Sequence, residues 1–162
     1  MKTYYIFRHG QTIFSKTETP YGDNEHTAEI LPEAKPVIEN LAKKLTTFKI
    51  EKCFRSEFLR CRQTADIIEA NSPFHFEPEP LLNEFVEDDF DVFEKRMEKA
   101  VSKLESLSEK HIALCTHGAN VAGFKKLLLG QKFHSHDLMY YPKTGVILVI
   151  SNGSIQEVDC NL

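Results

Sequence analysis

Short apolar runs alternate along the chain with segments whose apolar residues recur at helical spacing. The runs, which predict buried strands, are Tyr4–Phe7, Ile50–Phe54, His111–Cys115 and Gly145–Ile150. The helical repeats predict a helix that ends near Phe48, then helices over Leu59–Ala70, from about Phe93 to Leu107, and from Gly118 to about Leu129. Asn152-Gly153 is typical of a hairpin turn and predicts a last strand at Ser154–Val158.

This alternation predicts the class of fold. Strands such as Tyr4–Phe7 are apolar throughout, which is the pattern of strands buried on both faces. We therefore expect an α/β protein, a three-layer α/β/α sandwich with a mostly parallel central sheet and an antiparallel edge strand from the hairpin. With 162 residues, the chain is expected to form one domain over residues 1–162.

Two polar segments interrupt the pattern and are interpreted as loops. Residues 13–32 contain Pro20, Gly22 and Pro32, and Ser72–Asp91 is rich in proline and acid, with room for a short strand near Phe74–Phe76. Loops of this length in compact domains are usually functional. We expect substrate specificity to depend on residues 13–26, 72–91 and 130–143.

Composition narrows the possible partners. The net charge of −4 argues against general nucleic-acid binding, because proteins that bind phosphate backbones usually carry a basic surplus. No apolar stretch approaches the ~20 residues that would span a bilayer, so no membrane association is expected. A strand-like run begins within three residues of the start, which leaves no room for a signal peptide and predicts a cytoplasmic protein with reduced cysteines.

Chemistry-bearing residues stand directly after three of the predicted strands. Arg8-His9-Gly10 follows the first strand, and Thr116-His117-Gly118 follows the strand His111–Cys115. Arg55 follows the second strand, and Arg60 and Arg62 lie at the start of the next helix. Taken alone, Arg60 and Arg62 would also fit a solvated helix face. Because parallel strands present ligands at their carboxyl ends, the combination predicts an anion-binding pocket at that edge.

Three motifs in order resemble the histidine phosphatase superfamily, also called the phosphoglycerate mutase-like family. They are Arg8-His9-Gly10, the segment Ser56-Glu57-Phe58-Leu59-Arg60-Cys61-Arg62-Gln63-Thr64-Ala65, and Thr116-His117-Gly118. The resemblance implies that His9 is the nucleophile that becomes phosphorylated. It also implies that Arg8, Arg60 and His117 hold the phosphate, with Arg60 preferred to Arg62 because it lies four residues after Ser56.

The resemblance implies two further site residues. Ser15 occupies the place where the family often has an asparagine, six residues after the nucleophile, and would donate one hydrogen bond to phosphate. Leu82-Asn83-Glu84 matches the family's Leu-x-Glu segment, which makes Glu84 the expected proton donor. Another acid of the loop 84–91 is an alternative, and a solvated acidic loop remains possible from the residues alone.

The implied activity is metal-independent hydrolysis of phosphomonoesters through a phosphohistidine intermediate on His9, without a cofactor. The substrate would be a small phosphorylated metabolite or a phosphoprotein. Two alternatives stay open, a protein phosphohistidine phosphatase and a non-catalytic module that binds a phosphorylated ligand. The oligomeric state cannot be predicted from the sequence. His134 and His136 have spacing that a metal can use, but a loop is the better interpretation, and Cys115 is expected to be a small buried residue.

Overall fold

The computed structural model describes residues 1–162 and contains six strands and five α-helices. The strands are β1 (Thr3–Arg8), β2 (Lys52–Arg55), β3 (Phe76–Pro78), β4 (His111–Thr116), β5 (Val146–Ser151) and β6 (Ser154–Asp159). The helices are α1 (Ile13–Thr17), α2 (Ala34–Leu45), α3 (Leu59–Ala70), α4 (Phe90–Glu105) and α5 (Gly118–Leu127). Short 3₁₀ turns occur at Gly22–Asn24, Pro80–Leu82 and Ser135–Asp137.

The six strands form one mixed sheet in the order β3-β2-β4-β1-β5-β6. β1, β2, β3 and β4 are parallel, whereas β5 pairs antiparallel with β1 and β6 pairs antiparallel with β5. The C-terminal hairpin therefore supplies the antiparallel edge. This confirms the predicted α/β fold with a mostly parallel central sheet.

Helices cover both faces of the sheet, and the side chains of β1 show why its sequence is apolar throughout. Tyr4 and Ile6 belong to a buried cluster of 16 residues with α4 and α5. Tyr5 and Phe7 point the other way, into a second cluster of 16 residues with α2 and α3. Since successive side chains of a strand face opposite sides, a central strand between two helical layers needs apolar residues at every position.

Segment 13–32 differs from the predicted loop, because it contains α1 and the Gly22–Asn24 turn. A helix of five residues is too short to give a periodic pattern. Its start is fixed by local hydrogen bonds instead: the Thr12 side chain accepts from the Ser15 backbone N–H at 3.0 Å, and the Thr12 N–H donates to Ser15 Oγ at 2.8 Å. This capping box of Thr12 and Ser15 is the local sequence feature that indicates the start of α1.

The other elements are where the pattern predicts them, with shifted ends. α4 begins at Phe90 rather than near Phe93, because Asp89 caps it by accepting from the Asp91 N–H at 2.8 Å. α2 and α5 end a few residues earlier than predicted, β2 begins at Lys52, and β3 lies two residues later than predicted. None of the helices combines the length and apolar character needed to cross a bilayer.

The parallel pairing brings three strand ends to one edge of the sheet. Arg8 at the end of β1 pairs with Thr116 of β4, and Arg55 of β2 pairs with Cys115. The residues that follow these strands therefore meet. The His9 N–H donates to the Thr116 carbonyl at 3.0 Å, and the Ser56 N–H donates to the Cys115 carbonyl at 3.0 Å.

Candidate active site

His9 and His117, which are far apart in sequence, lie side by side at the carboxyl edge of the sheet. Their ring centroids are 5.3 Å apart, and both residues are almost completely buried, with exposures of 1% and 0%. The structure therefore brings together the two histidines that the sequence singled out.

One hydrogen bond determines which nitrogen of His9 is available for chemistry. His9 Nδ1 lies 2.7 Å from the carbonyl oxygen of Gly10. A carbonyl only accepts, so Nδ1 carries the proton and Nε2 keeps its lone pair. Burial, helped by the nearby Arg60 and Arg8 cations, holds the pKa of His9 well below its usual value. The result is a neutral imidazole with a free Nε2, which is the nucleophilic form.

Arg60, in the first turn of α3, is fully buried, whereas Arg62 is exposed. Its guanidinium lies 4.0 Å from the centroid of the Tyr21 ring. Nη1 donates to the Glu25 carbonyl, and Nη2 donates to Glu25 Oε1 at 2.7 Å. These contacts fix the plane of the guanidinium, and Nε has no partner within the protein.

Arg8, the last residue of β1, packs against an aromatic ring. Its guanidinium lies 4.7 Å from the centroid of the Tyr141 ring, and Nη1 donates to the Pro142 carbonyl at 3.4 Å. Five buried side-chain polar atoms in the protein lack a partner, and three are nitrogens of this site: Arg8 Nε, Arg60 Nε and His117 Nδ1. The two arginine Nε–H groups are costly to bury without acceptors. An anion between the two guanidiniums would accept their bonds.

Glu84 is the acid that reaches this cluster. Its Oε2 lies 3.8 Å from His117 Nδ1 and 3.9 Å from Arg60 Nη2. Burial raises the pKa of Glu84, although the Phe85 N–H and the Arg60 cation act in the opposite direction. A carboxyl with a raised pKa beside a basic pocket is suited to giving and taking a proton.

The other acids of the 84–91 loop have structural contacts elsewhere or face solvent. Glu87 accepts from Arg96 Nε at 2.8 Å and from Arg96 Nη2 at 2.9 Å. Asp89 caps α4, and Asp88 is exposed. Of this loop's acids, Glu84 alone lines the cleft above His9. This geometry favours Glu84 over its neighbours as the proton donor.

Ser15 lines the same cleft, but its hydroxyl is engaged in the cap of α1. It accepts from the Thr12 N–H at 2.8 Å and donates to the Thr12 carbonyl at 3.2 Å. The expected bond to phosphate would require this hydroxyl proton to leave the Thr12 carbonyl. Its role therefore stays a prediction.

The structure adds residues that the sequence did not suggest. Glu25 and Tyr21 hold Arg60, and Tyr141 packs against Arg8. They lie in irregular segments with no motif of their own, so only the folded chain shows the contacts. His134 and His136, by contrast, do not line the cleft. They flank Ser135 in a 3₁₀ turn, where Asp137 accepts from the His134 N–H at 2.8 Å.

The cleft above His9 is open, with a volume of about 830 Å³. One part of its wall is apolar and aromatic, and the side chains concerned are Phe14, Tyr21, Phe85, Leu138, Met139 and Tyr141. Beyond Arg8, Lys143 is the only cation among the lining residues, and it lies 3.5 Å from Asp159. The cleft therefore joins His9 and Arg8 to a wall of mixed character that also carries the acids Glu18 and Glu84. Arg60 and His117 are fully buried and do not line it.

The site thus combines two strand-end histidines, the buried Arg60, the half-buried Arg8 and a nearby carboxyl. Residues 4–91 match the family model of the histidine phosphatase superfamily (branch 1). The chain belongs to this superfamily, which confirms the resemblance, and the matched residues include the first two of the three motifs. No curated protein sequence gives a significant match to the chain.

Solved structures show the same fold at low sequence identity. The alpha-ribazole phosphatase from Shigella flexneri is 17% identical, with a TM-score of 0.78, over 92% of this chain and 90% of that one. A mycobacterial glucosyl-3-phosphoglycerate phosphatase, solved with VO₃, is 15% identical, with a TM-score of 0.76, over 98% and 96%. The phosphoglycerate mutase from Bacillus anthracis is 16% identical, with a TM-score of 0.74, over 98% and 93%.

Proposed function

We propose that the protein is a metal-independent phosphatase that hydrolyses phosphomonoesters through a phosphohistidine on His9. The observation that carries the proposal is the neutral His9 imidazole, held by Gly10 with Nε2 free, beside two arginines with unpartnered Nε atoms. Membership of the superfamily and the phosphatases among the structural neighbours support it at the level of the class. That residues 1–162 form one domain, and that the protein is cytoplasmic, remain predictions from the sequence.

In the first step, His9 Nε2 attacks the phosphorus and the bond to the leaving oxygen breaks. Negative charge spreads over the three equatorial oxygens, which Arg8, Arg60 and His117 stabilise by charge-assisted hydrogen bonds. The protonated Glu84 carboxyl gives its proton to the leaving alkoxide. The products of this step are an alcohol and phospho-His9.

In the second step, water attacks phospho-His9 and the P–N bond breaks. Glu84, now a carboxylate, accepts the proton of the attacking water, and inorganic phosphate leaves. The cycle returns His9 and Glu84 to their starting protonation states. Because the arginines neutralise the transferring group, the chemistry needs no metal ion, and release of phosphate from an aryl phosphate should be unaffected by an excess of EDTA. Loss of activity in EDTA that added metal restores would contradict this part of the proposal.

A protein phosphohistidine phosphatase is the second candidate. The cleft is open, and Met139 at its rim is 76% exposed, so a side chain on a protein surface can approach His9. A phosphoramidate leaving group needs less help from an acid than an alkoxide does. A non-catalytic module is less well supported, because the chain keeps both histidines and both arginines close together at the carboxyl edge of the sheet.

The variant Glu84→Gln should distinguish a phosphomonoesterase from a protein phosphohistidine phosphatase. If Glu84 protonates an alkoxide, the variant should lose about 10²–10⁴-fold in kcat/KM for alkyl phosphates and much less for p-nitrophenyl phosphate, whose leaving group needs no proton. Because kcat/KM reports only the steps up to departure of the leaving group, the role of Glu84 as the base of the second step does not affect this comparison. Steady-state rates over a series of leaving groups measure this. Asp88→Asn, an exposed neighbour, is the control. Equal losses for all leaving groups would remove Glu84 from the acid role, and activity confined to a phosphohistidine protein would favour the second candidate.

The apolar wall of the cleft predicts a substrate preference. Hexyl phosphate should be hydrolysed with a kcat/KM about 10- to 100-fold above that of glycerol 3-phosphate, because its chain can bury several methylenes against Phe14, Phe85 and Met139. Glycerol has the more acidic leaving hydroxyl, so intrinsic reactivity would work the other way. Met139→Ser should shrink the ratio, whereas Val92→Ser, an exposed residue that does not line the cleft, should leave it unchanged. A ratio near one would refute the preference.

A further inference from the structure

Ser56 and Asn83 form a hydrogen-bond chain with Nε2 of His117, whereas Glu84 lies near the other ring nitrogen, Nδ1. His117 Nε2 lies 2.8 Å from Ser56 Oγ, and Ser56 Oγ lies 3.0 Å from Asn83 Oδ1. Ser56 and His117 are both fully buried. The direction of each hydrogen bond in this chain decides where the proton of His117 sits.

The orientation of the Asn83 amide is fixed by Glu57. The Glu57 backbone N–H donates to Asn83 Oδ1 at 2.8 Å, and Asn83 Nδ2 donates to Glu57 Oε1 at 3.0 Å. A flipped amide would set donor against donor at one contact and acceptor against acceptor at the other. Asn83 Oδ1 therefore faces Ser56 as an acceptor.

Because Asn83 Oδ1 is an acceptor, the Ser56 hydroxyl determines which nitrogen of His117 carries the proton. Its single proton goes to Asn83 Oδ1, and its oxygen accepts from the Phe58 N–H at 3.2 Å. The Ser56 oxygen can therefore only accept a hydrogen bond from His117, so His117 Nε2 must carry the proton and donate it. The Cys61 thiol, 3.6 Å from Nε2, is directed toward the Thr116 carbonyl at 3.7 Å and does not supply a competing proton. In the neutral ring, His117 Nδ1 then has a bare lone pair.

That lone pair faces the phosphoryl pocket, where Nδ1 lies 3.8 Å from Glu84 Oε2 and has no hydrogen-bond partner. A phosphoryl dianion offers only acceptors, so it cannot bond to a bare Nδ1. We propose that Asn83, acting through Ser56, is a positioning residue that fixes His117 in the Nε2–H tautomer, so that a tetrahedral dianion binds together with one proton taken up on Nδ1. The inference rests on the proposed phosphoryl site, but its tests do not need turnover.

Charged groups surround His117 from several elements. Burial, followed by Arg60 from α3, His9 and Arg8 from the end of β1, and Arg96 from α4, holds the pKa of His117 below its usual value, which keeps the free imidazole neutral. Glu84 is the only facing carboxylate, and Glu25 lies beyond Arg60. A bound dianion adds two negative charges to this cationic surrounding and favours the imidazolium.

Calorimetry with sulfate, in two buffers of different ionisation enthalpy, measures the proton uptake directly. Sulfate brings no proton of its own near neutral pH. Wild type should take up about one proton per sulfate at slightly alkaline pH, where His117 is neutral before binding. In Asn83→Ala the Ser56 hydroxyl is free to donate to Nε2, which moves the ring proton to Nδ1. Uptake should then fall toward zero while sulfate still binds.

Two further variants distinguish positioning from a merely structural effect. Asn83→Asp keeps an acceptor for Ser56, so it should restore the Nε2–H tautomer and shift proton uptake to higher pH through its added charge. Asp88→Asn, an exposed residue of the same loop with no hydrogen bond to Asn83 or His117, should bind sulfate with wild-type uptake. Equal proton uptake in wild type and Asn83→Ala would overturn the inference.

Nitrogen-15 NMR of the His117 ring provides a readout that does not depend on sulfate affinity. The free wild type should show a protonated Nε2 and an unprotonated Nδ1, and Asn83→Ala should show the reverse. A protonated Nδ1 in the free neutral wild type would refute the tautomer assignment. Because neither measurement requires catalysis, a failed phosphatase proposal would leave these outcomes interpretable.

Discussion

His9→Ala should abolish turnover of every phosphomonoester that the wild type hydrolyses. Loss of the nucleophile removes the covalent route altogether, so kcat should fall by about 10⁴-fold or more, which corresponds to ~5 kcal/mol of activation free energy. The comparison is made by steady-state release of inorganic phosphate at saturating substrate, with the fold of the variant checked by circular dichroism.

His75→Ala is the matched control for this experiment. The His75 side chain is 78% exposed and pairs only with Glu69, at 3.4 Å, far from the cleft-lining residues. It should retain wild-type kcat. A His9→Ala enzyme with substantial remaining turnover would show that another group attacks phosphorus, and the assignment of the nucleophile would be wrong.

Arg60→Met should also give a large loss, about 10³-fold in kcat/KM. The substitution removes a buried cation that is expected to stabilise the transferring phosphoryl group, and such arginines contribute about 10³–10⁵-fold in phosphoryl transfer. It also leaves Glu25 and Glu84 without their shared counter-ion, so the pocket would repel a phosphate dianion. Initial rates at low substrate concentration measure the effect.

Arg62→Met, two residues along the same helix, tests the choice between the neighbouring arginines. Arg62 is exposed, so its loss should change kcat/KM by less than about twofold and leave the free energy of unfolding nearly unchanged. Denaturant titration of both variants separates loss of fold from loss of function. Similar losses of activity in the two variants would contradict the assignment of Arg60 to the phosphate.

The sequence predicted the layers of the fold, and its motifs singled out residues that the structure brings together, because both depend on strong local signals. Continuous apolar strands and amphipathic helices fixed the α/β class, and β1 confirms the reasoning by burying side chains on both of its faces. The three motifs placed His9, Arg60 and His117, and the parallel register brings them to one sheet edge.

What the sequence did not reveal lies in segments without periodicity. The bonds from Arg60 to Glu25 depend on how an irregular loop folds over α3, and no residue spacing encodes that contact. The short helix α1 was missed because five residues make little more than one turn. The hydrogen-bond chain from Asn83 to His117 joins a loop, the end of β2 and the end of β4, so it exists only in the assembled structure.

The central claim is that a covalent phosphohistidine forms on His9. The most direct test is mass spectrometry of protein that is quenched while it turns over an aryl phosphate in the presence of EDTA. The quench is made in base, because phosphoramidates hydrolyse in acid, and Glu84→Gln is run alongside wild type. We expect a phosphate adduct that maps to the peptide containing His9 and is absent in His9→Ala. Turnover without any adduct during rapid-quench sampling, or an adduct that maps to another residue, would contradict the proposed mechanism.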